Sequence, residues 1–242
     1  MEFTVKLAKV NIGINCIYND VFELCSDYIS DEAPHFCIKT SMDDITLERQ
    51  KSWREAALEH RAYHDFPDGY LETLAVYRKI ATRLLDYNVF LMHGAVVGLN
   101  DNAYMFTAPS GVGKTTHTGF WLKQFPEAFI LNGDKPLLRF ENGGVFACGT
   151  PWAGKEGHNR NIILPLKSIC ILTRGAANEI SPISFSSIYP LLLQQTYRPG
   201  DEQSIKKTMT LIKELGKSTD FYLLRCNLEQ SAAKVAYEGM CK

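Results

Sequence analysis

The stretch Ala108-Pro109-Ser110-Gly111-Val112-Gly113-Lys114-Thr115-Thr116 decides how the rest of this chain is read. The apolar run Ala103 to Thr107 precedes it and predicts a buried strand. Residues 114–124 follow and predict a helix. The stretch fits the pattern GxxxxGK followed by Ser or Thr, with Ala108 in place of the first Gly. The chemistry needs those residue types. Gly111 and Gly113 let the backbone wrap with its N–H groups pointing inward. The helix N-terminus adds partial positive charge. Ser110 through Thr116 are therefore candidate nucleotide-binding residues. Lys114 would reach the terminal phosphates, and the Thr115 hydroxyl would ligate Mg²⁺.

A phosphate cradle also needs a carboxylate for the metal. The apolar run Phe129-Ile130-Leu131 ends in Asn132-Gly133-Asp134, which puts Asp134 at a strand end where it would face Mg²⁺ and an acceptor hydroxyl. His93 lies in Phe90-Leu91-Met92-His93-Gly94-Ala95; a lone histidine in an apolar strand is more often a satisfied core residue. The segment Gly149 to Arg160 is glycine-rich and long for a connection, as functional loops often are. From it, Lys155 or Arg160 would neutralise a transferring phosphoryl group, and Glu156 is a further candidate contact. Arg198, in Thr196-Tyr197-Arg198-Pro199-Gly200, is a weaker anion candidate. Arg83 and Arg174 read as solvated surface charges.

The chain has 242 residues, enough for one large domain or a domain with a small companion. Basic residues (26) nearly cancel acidic ones (27), which excludes a strongly basic nucleic-acid binder and a charge-repelled disordered chain. No apolar run is long enough for a membrane span, and the N-terminus lacks a signal-peptide pattern. Seven widely spaced cysteines with no CxxC pair read as reduced thiols of a cytoplasmic protein, not a zinc site. Charge is uneven: net −5 over residues 1–65 and net +4 over 66–242.

The turn signal Phe66-Pro67-Asp68-Gly69 places the boundary of a small N-terminal α+β subdomain at residues 1–68, with the nucleotide-binding domain at 69–242. In the first part, residues 2–18 predict two strands with Gly13 between them, 35–40 a third strand, and 46–62 a helix. In the second, 70–86 predicts an amphipathic helix and Val89–Val97 one apolar strand. Strands follow at 128–132, 136–140, 145–148, 168–173 and 220–227, with Asn142-Gly143-Gly144 as a hairpin turn. Helices are expected at 184–197, at 201–216 and after Asn227. Hairpins mixed with strand–helix units predict an α/β fold on a mixed sheet.

The order from His93-Gly94 through the Ser110-Gly111-Val112-Gly113-Lys114-Thr115 loop to Asn132-Gly133-Asp134 resembles the HPr kinase/phosphorylase family, which shares a core with phosphoenolpyruvate carboxykinases. The resemblance covers residues 90–175 best. It implies a phosphoenolpyruvate carboxykinase-like P-loop fold: a mixed, partly barrel-like sheet with helices packed on one side. It also implies ATP and Mg²⁺ as cofactors, with Lys114 on the phosphates and Thr115 on the metal. Asp134 would be base or metal ligand, and His93 would lie near metal and phosphate. Two features depart from the family pattern. Gly133 stands where the family has the first Asp of a pair, and Gly149 to Lys155 replaces an Arg-Gly-x-Gly-Ile signature.

The expected activity is therefore transfer of the ATP γ-phosphate to a hydroxyl acceptor other than HPr, either a serine of a peptide or protein or a small hydroxy metabolite. Lys114, Asp134, His93 and Lys155 are the candidate catalytic residues, and Glu156, Arg160 and Arg198 the candidate phosphate or acceptor contacts. No nucleic-acid or membrane partner is expected. Homo-oligomers occur among relatives, though no heptad or apolar stripe specifies an interface here. Two alternatives stand: a carboxykinase-like lyase, and a nucleotide sensor that lacks transfer because one carboxylate is missing.

Overall fold

The computed structural model describes residues 1–58, 60 and 62–241. They form two compact units, Met1–Leu84 and Leu85–Lys242.

In the N-terminal unit, β1 (Glu2–Leu7) and β2 (Val10–Asn15) form an antiparallel hairpin, and β3 (Phe36–Lys39) adds parallel to β2. The hairpin turns at Ala8 and Lys9, both at positive φ (47° and 64°), and Gly13 lies inside β2. The unit also contains α1 (Asn19–Leu24), α2 (Met42–Leu58) and α3 (Asp68–Leu84). The sequence-predicted helix at 46–62 corresponds to α2; positions 59 and 61 lie outside the described residues.

The division into units falls one helix later than the expected boundary at 68/69, because α3 carries the acid that organises the first unit. Glu72, on α3, is fully buried. Its carboxylate accepts the backbone N–H groups of Ile17 and Tyr18, each at 2.7 Å, and the hydroxyl of Thr40. One buried acid thereby satisfies donors from two connecting segments, after β2 and after β3. Removing it would leave those donors unpaired in the interior. Glu72→Ala should therefore lower stability by about 2–4 kcal/mol, read as a shift of the urea unfolding midpoint.

The C-terminal unit is a mixed α/β structure on one curled nine-stranded sheet. Its strands are β4 (Val89–Leu91), β5 (Ala95–Leu99), β6 (Asn102–Thr107), β7 (Phe129–Asn132), β8 (Leu137–Glu141), β9 (Gly144–Cys148), β10 (Ile163–Arg174), β11 (Glu179–Pro182) and β12 (Asp220–Cys226). The order β4-β8-β9-β10-β6-β5-β7 is joined by β12 beside β10 and β11 beside β12. The long β10 links two regions. Its first residues pair antiparallel with β9, and its later ones run parallel to β6 and β12. The Asn142-Gly143 hairpin forms as expected, with positive φ at both residues.

Strand alternation sends successive side chains to opposite faces. Ala103, Met105, Ile169 and Ile171 pack in a core with Ile188, Leu192, Leu211, Ile212 and Leu215, which come from α5 (Phe185–Gln195) and α6 (Glu202–Ser218). Tyr104, Phe106, Cys170 and Leu172 pack with Trp121, Ala233, Ala236 and Met240, from α4 (Lys114–Gln124) and α7 (Ser231–Met240). Helices therefore cover both faces of this part of the sheet, which corrects the expectation of helices on one side. The physical reason is that β6 and β10 are apolar at successive positions, so each needs cover above and below.

Topology also positions the site. Strands β6, β7, β10 and β12 point the same way, and β5 is antiparallel to β6. The C-terminal ends of the first four and the N-terminal end of β5 therefore meet at one sheet edge. Such an edge is where α/β sheets place ligands. Among the described residues no helix is long and apolar enough to cross a membrane.

Candidate active site

The loop after β6 reaches α4 through two residues in the left-handed region, Gly111 (φ 78°) and Gly113 (φ 123°). Any L side chain there would be strained, which explains both glycines. Behind the loop α4 is held by Trp121. Its indole is fully buried among Tyr104, Phe106, Phe125 and Tyr237. Lys114 is half-buried, and its ammonium donates to the Ala108 carbonyl at 3.0 Å. Burial lowers its pKa, while the charge of Asp134 acts in the opposite direction.

The apolar run expected as one strand at 89–97 splits into β4 and β5. Between them the chain leaves the sheet at His93 and Gly94. The His93 N–H donates to the Gln195 carbonyl at 2.7 Å, the Gly94 N–H to the Asp134 carbonyl at 2.9 Å, and the Thr107 hydroxyl to the His93 carbonyl at 2.9 Å. This break brings the imidazole to Asp134. Its Nε2 lies 3.1 Å from Asp134 Oδ1, and its Nδ1 lies 2.7 Å from Gln195 Oε1. Lys135 contacts the other oxygen of Asp134.

Burial alone would raise the Asp134 pKa. The hydrogen bond from His93 and the charge and hydrogen bond of Lys135 outweigh it and hold the carboxyl down to about 2.

The Asp134 turn is built by Asn132, which is fully buried. Its Oδ1 accepts from the Asp134 N–H at 2.9 Å and the Lys135 N–H at 2.7 Å. Its amide donates to the carbonyl and hydroxyl oxygens of Thr150, both at 3.0 Å. The Thr150 hydroxyl in turn donates to the Lys135 carbonyl at 2.8 Å. The 149–161 loop is thus fastened across the turn. Its Arg160 N–H donates to the Leu131 carbonyl at 2.9 Å, and its His158 carbonyl accepts from the Gly133 N–H at 3.0 Å. A Cβ on Gly133 would sit 2.9 Å from the Ala153 carbonyl oxygen. The space a side chain at 133 would need is therefore filled by backbone, which accounts for glycine at this position.

A cleft of about 520 Å³ brings these groups together. Among the expected residues, Ser110, Gly111, Gly113, Lys114, Thr115, Thr116, His93, Asp134, Lys155 and Glu156 all line it. Three do not. Val112 packs against the core beneath α4. The Arg160 guanidinium lies 4.2 Å from the centre of the Phe129 ring, over its face. Arg198 is exposed and outside the cleft lining. Arg83 lies over the Phe36 ring in the N-terminal unit. Arg174, read as a solvated surface charge, is exposed but donates to the Gly111 carbonyl at 2.9 Å, so it braces the loop. Sequence reasoning missed three further contributors: Asn132, Gln195 and Arg174. Only Asn132 carried a local signal, as an Asx residue two positions before a turn acid.

No family model matches the sequence, and no curated protein does. Among solved structures, the Hpr(Ser) kinase/phosphatase from Coxiella burnetii shares 9% identity and superposes with a TM-score of 0.35, covering 61% of this chain and 91% of that one. A likeness of that degree does not establish a family, and the site stands on its own geometry.

Two outcomes follow from that geometry. Gly133→Ala should destabilise the C-terminal unit by about 1–3 kcal/mol, because backbone must move to admit the methyl; thermal melting checks it. The Asp134 carboxyl titrates below its unfolded value of about 3.9, so its charged form stabilises the fold above that pH. That contribution, about 2 kcal/mol, should fade as the pH falls through about 2. Asp134→Asn should show a flatter loss of stability than wild type below pH of about 4, followed by urea unfolding across the acid range.

Proposed function

We propose that the C-terminal unit is an ATP- and Mg²⁺-dependent phosphotransferase that moves the γ-phosphate to a hydroxyl acceptor. One observation carries the reading: the glycine loop with Lys114 and Thr115 and the His93–Asp134 pair line the same cleft. The donor set fits a nucleotide phosphate. It combines left-handed glycines at a helix N-terminus, a half-buried ammonium and an exposed hydroxyl on Thr115. It also fits Mg²⁺ carried in with phosphates. Thr115 and Asp134 supply oxygens, and among the described residues no group of three or more His, Cys, Asp or Glu converges as a cage.

Mg²⁺, when bound, would neutralise charge on the β- and γ-phosphates. Lys114 and the loop N–H groups hold the phosphates and meet the charge that spreads over them in transfer. Lys155, at the cleft wall, adds a second cation. Asp134 is held ionised far below neutral pH. A carboxylate that weakly basic serves better to ligate the metal and orient the acceptor O–H than to strip its proton outright. His93 fixes the Asp134 carboxylate, and Gln195 fixes His93. Catalysis of this type is mostly positioning and electrostatics. The acceptor class stays as the sequence suggests, a serine of a peptide or protein or a small hydroxy metabolite.

The test is transfer of a heavy-oxygen γ-phosphate from ATP into a bacterial extract, with products separated by size and read by mass spectrometry. Label that depends on Lys114 identifies the acceptor as metabolite or polypeptide. Asp134→Asn should keep nucleotide binding and lower the turnover by about 100-fold or more, as loss of a preorganised charged group does. Nucleotide binding with no Lys114-dependent label in either fraction would replace the kinase reading with that of a nucleotide sensor.

A further inference from the structure

Two cavities adjoin the phosphate cleft. One, of about 780 Å³, meets it at Gly111 and Gly113 and extends to Leu228 and Glu229. The other, of about 430 Å³, meets it at Ile130 and His158. The His158 carbonyl accepts the Gly133 N–H, so this second cavity opens beside the Asp134 turn. Its remaining walls are Leu122 of α4, Ala128 and Phe129, and Gly157, Asn159 and Arg160 of the loop. The proposed transfer chemistry uses none of them.

The cleft and this cavity lie in line along α4. Thr115, Thr118 and Leu122 sit at i, i+3 and i+7, so they share one face of the helix. Thr115 and Thr118 line the phosphate cleft, and Leu122 lines the outer cavity. The opposite wall is the 157–160 segment. It is pinned along β7, which ends the sheet on that side, with Asn159 bridging antiparallel to Asn132. Seven helical residues from Thr115 to Leu122 span about 10 Å. That is the reach of about three residues of extended chain.

Two side chains mark the outer end of the groove. Leu122 is 38% exposed, a large apolar side chain on a cavity wall. Arg160 is exposed, and its guanidinium stacks on the Phe129 ring. Stacking orients that planar group and leaves its N–H donors at the edge. Among the described residues no carboxylate pairs with it.

We propose that the acceptor hydroxyl belongs to a serine of a polypeptide whose extended chain lies in this groove. An aliphatic residue of that chain packs on Leu122, and a carboxylate residue, about three positions from the serine, pairs with Arg160. The inference rests on the phosphotransferase reading of the cleft and narrows its acceptor class. A small hydroxy metabolite would occupy the cleft alone. A polypeptide uses the groove that continues from it, and the unpaired Arg160 selects for acid by charge complementarity. In the transfer, the serine oxygen bonds to the γ-phosphorus as the bond to the β,γ-bridging oxygen breaks. ADP leaves with that electron pair, and the hydroxyl proton is lost to water.

The test incubates the full chain with Mg²⁺ and ATP carrying a heavy-oxygen γ-phosphate. The acceptors are a library of peptides with one central serine and about four randomised residues on each side, mixed with a pool of small hydroxy compounds. Mass spectrometry reads which molecules gain label. Wild type should label peptides in a Lys114-dependent way. The labelled set should be enriched about threefold or more in Asp or Glu about three residues to one side of the serine, with Leu, Ile or Val beside it. Arg160→Glu should turn the acidic preference into one for Lys and Arg, a gain that loss of folding cannot produce. Leu122→Ser should lose the aliphatic preference and keep the acidic one. Label on small compounds alone, or a peptide preference that neither variant shifts, would overturn the groove and leave the transferase standing. Absence of any Lys114-dependent label would remove the transferase reading, and the groove with it.

Discussion

Asn132 is the side chain on which the geometry of the cleft depends. It is fully buried, and all of its amide capacity is spent locally. Its oxygen caps the turn that aims Asp134, and its nitrogen grips Thr150. A buried amide placed this way leaves little freedom to either partner, since breaking one bond strands a polar group in the interior. The loop carrying Lys155 and Glu156 and the turn carrying Asp134 therefore hold one geometry together. Gly133 completes the arrangement by letting the Ala153 carbonyl approach where a side chain would otherwise stand.

The same economy recurs at the other carboxylates. Glu72 in the N-terminal unit and Asp134 in the C-terminal unit are both largely removed from water, yet they differ in partners. Glu72 is surrounded by backbone N–H groups and a hydroxyl, which consume it structurally. Asp134 is held by His93 and Lys135, side chains that can yield to a ligand. A carboxylate held by side chains in a cleft beside a glycine-rich loop suits the proposed chemistry, whereas one saturated by backbone donors suits stability.

Sheet topology supplies the rest. Four parallel strand ends and the start of an antiparallel one converge at a single edge, so residues from 93 to 229 meet within two adjoining cavities. Side chains pack on both faces of β6 and β10 behind that edge. Trp121 anchors the helix behind the loop, and α5 delivers Gln195 to His93 from the opposite face.

The amino-acid sequence by itself determined the strand–loop–helix unit around Lys114, the hairpin at Asn142-Gly143 and the position of Asp134 at a strand end. These are local: glycine conformational freedom, apolar runs and turn chemistry act over a few residues. The bend at His93-Gly94 was not legible, because an apolar run does not reveal where it changes partners. Nor was the cover on both faces of the sheet, which follows from pairing β10 with strands far away in the chain. Arg174 reaches the loop only through that pairing, and Gln195 only because the end of α5 runs beside β4. Their roles come from what faces them, and that is a property of the folded sheet edge, not of any stretch of sequence.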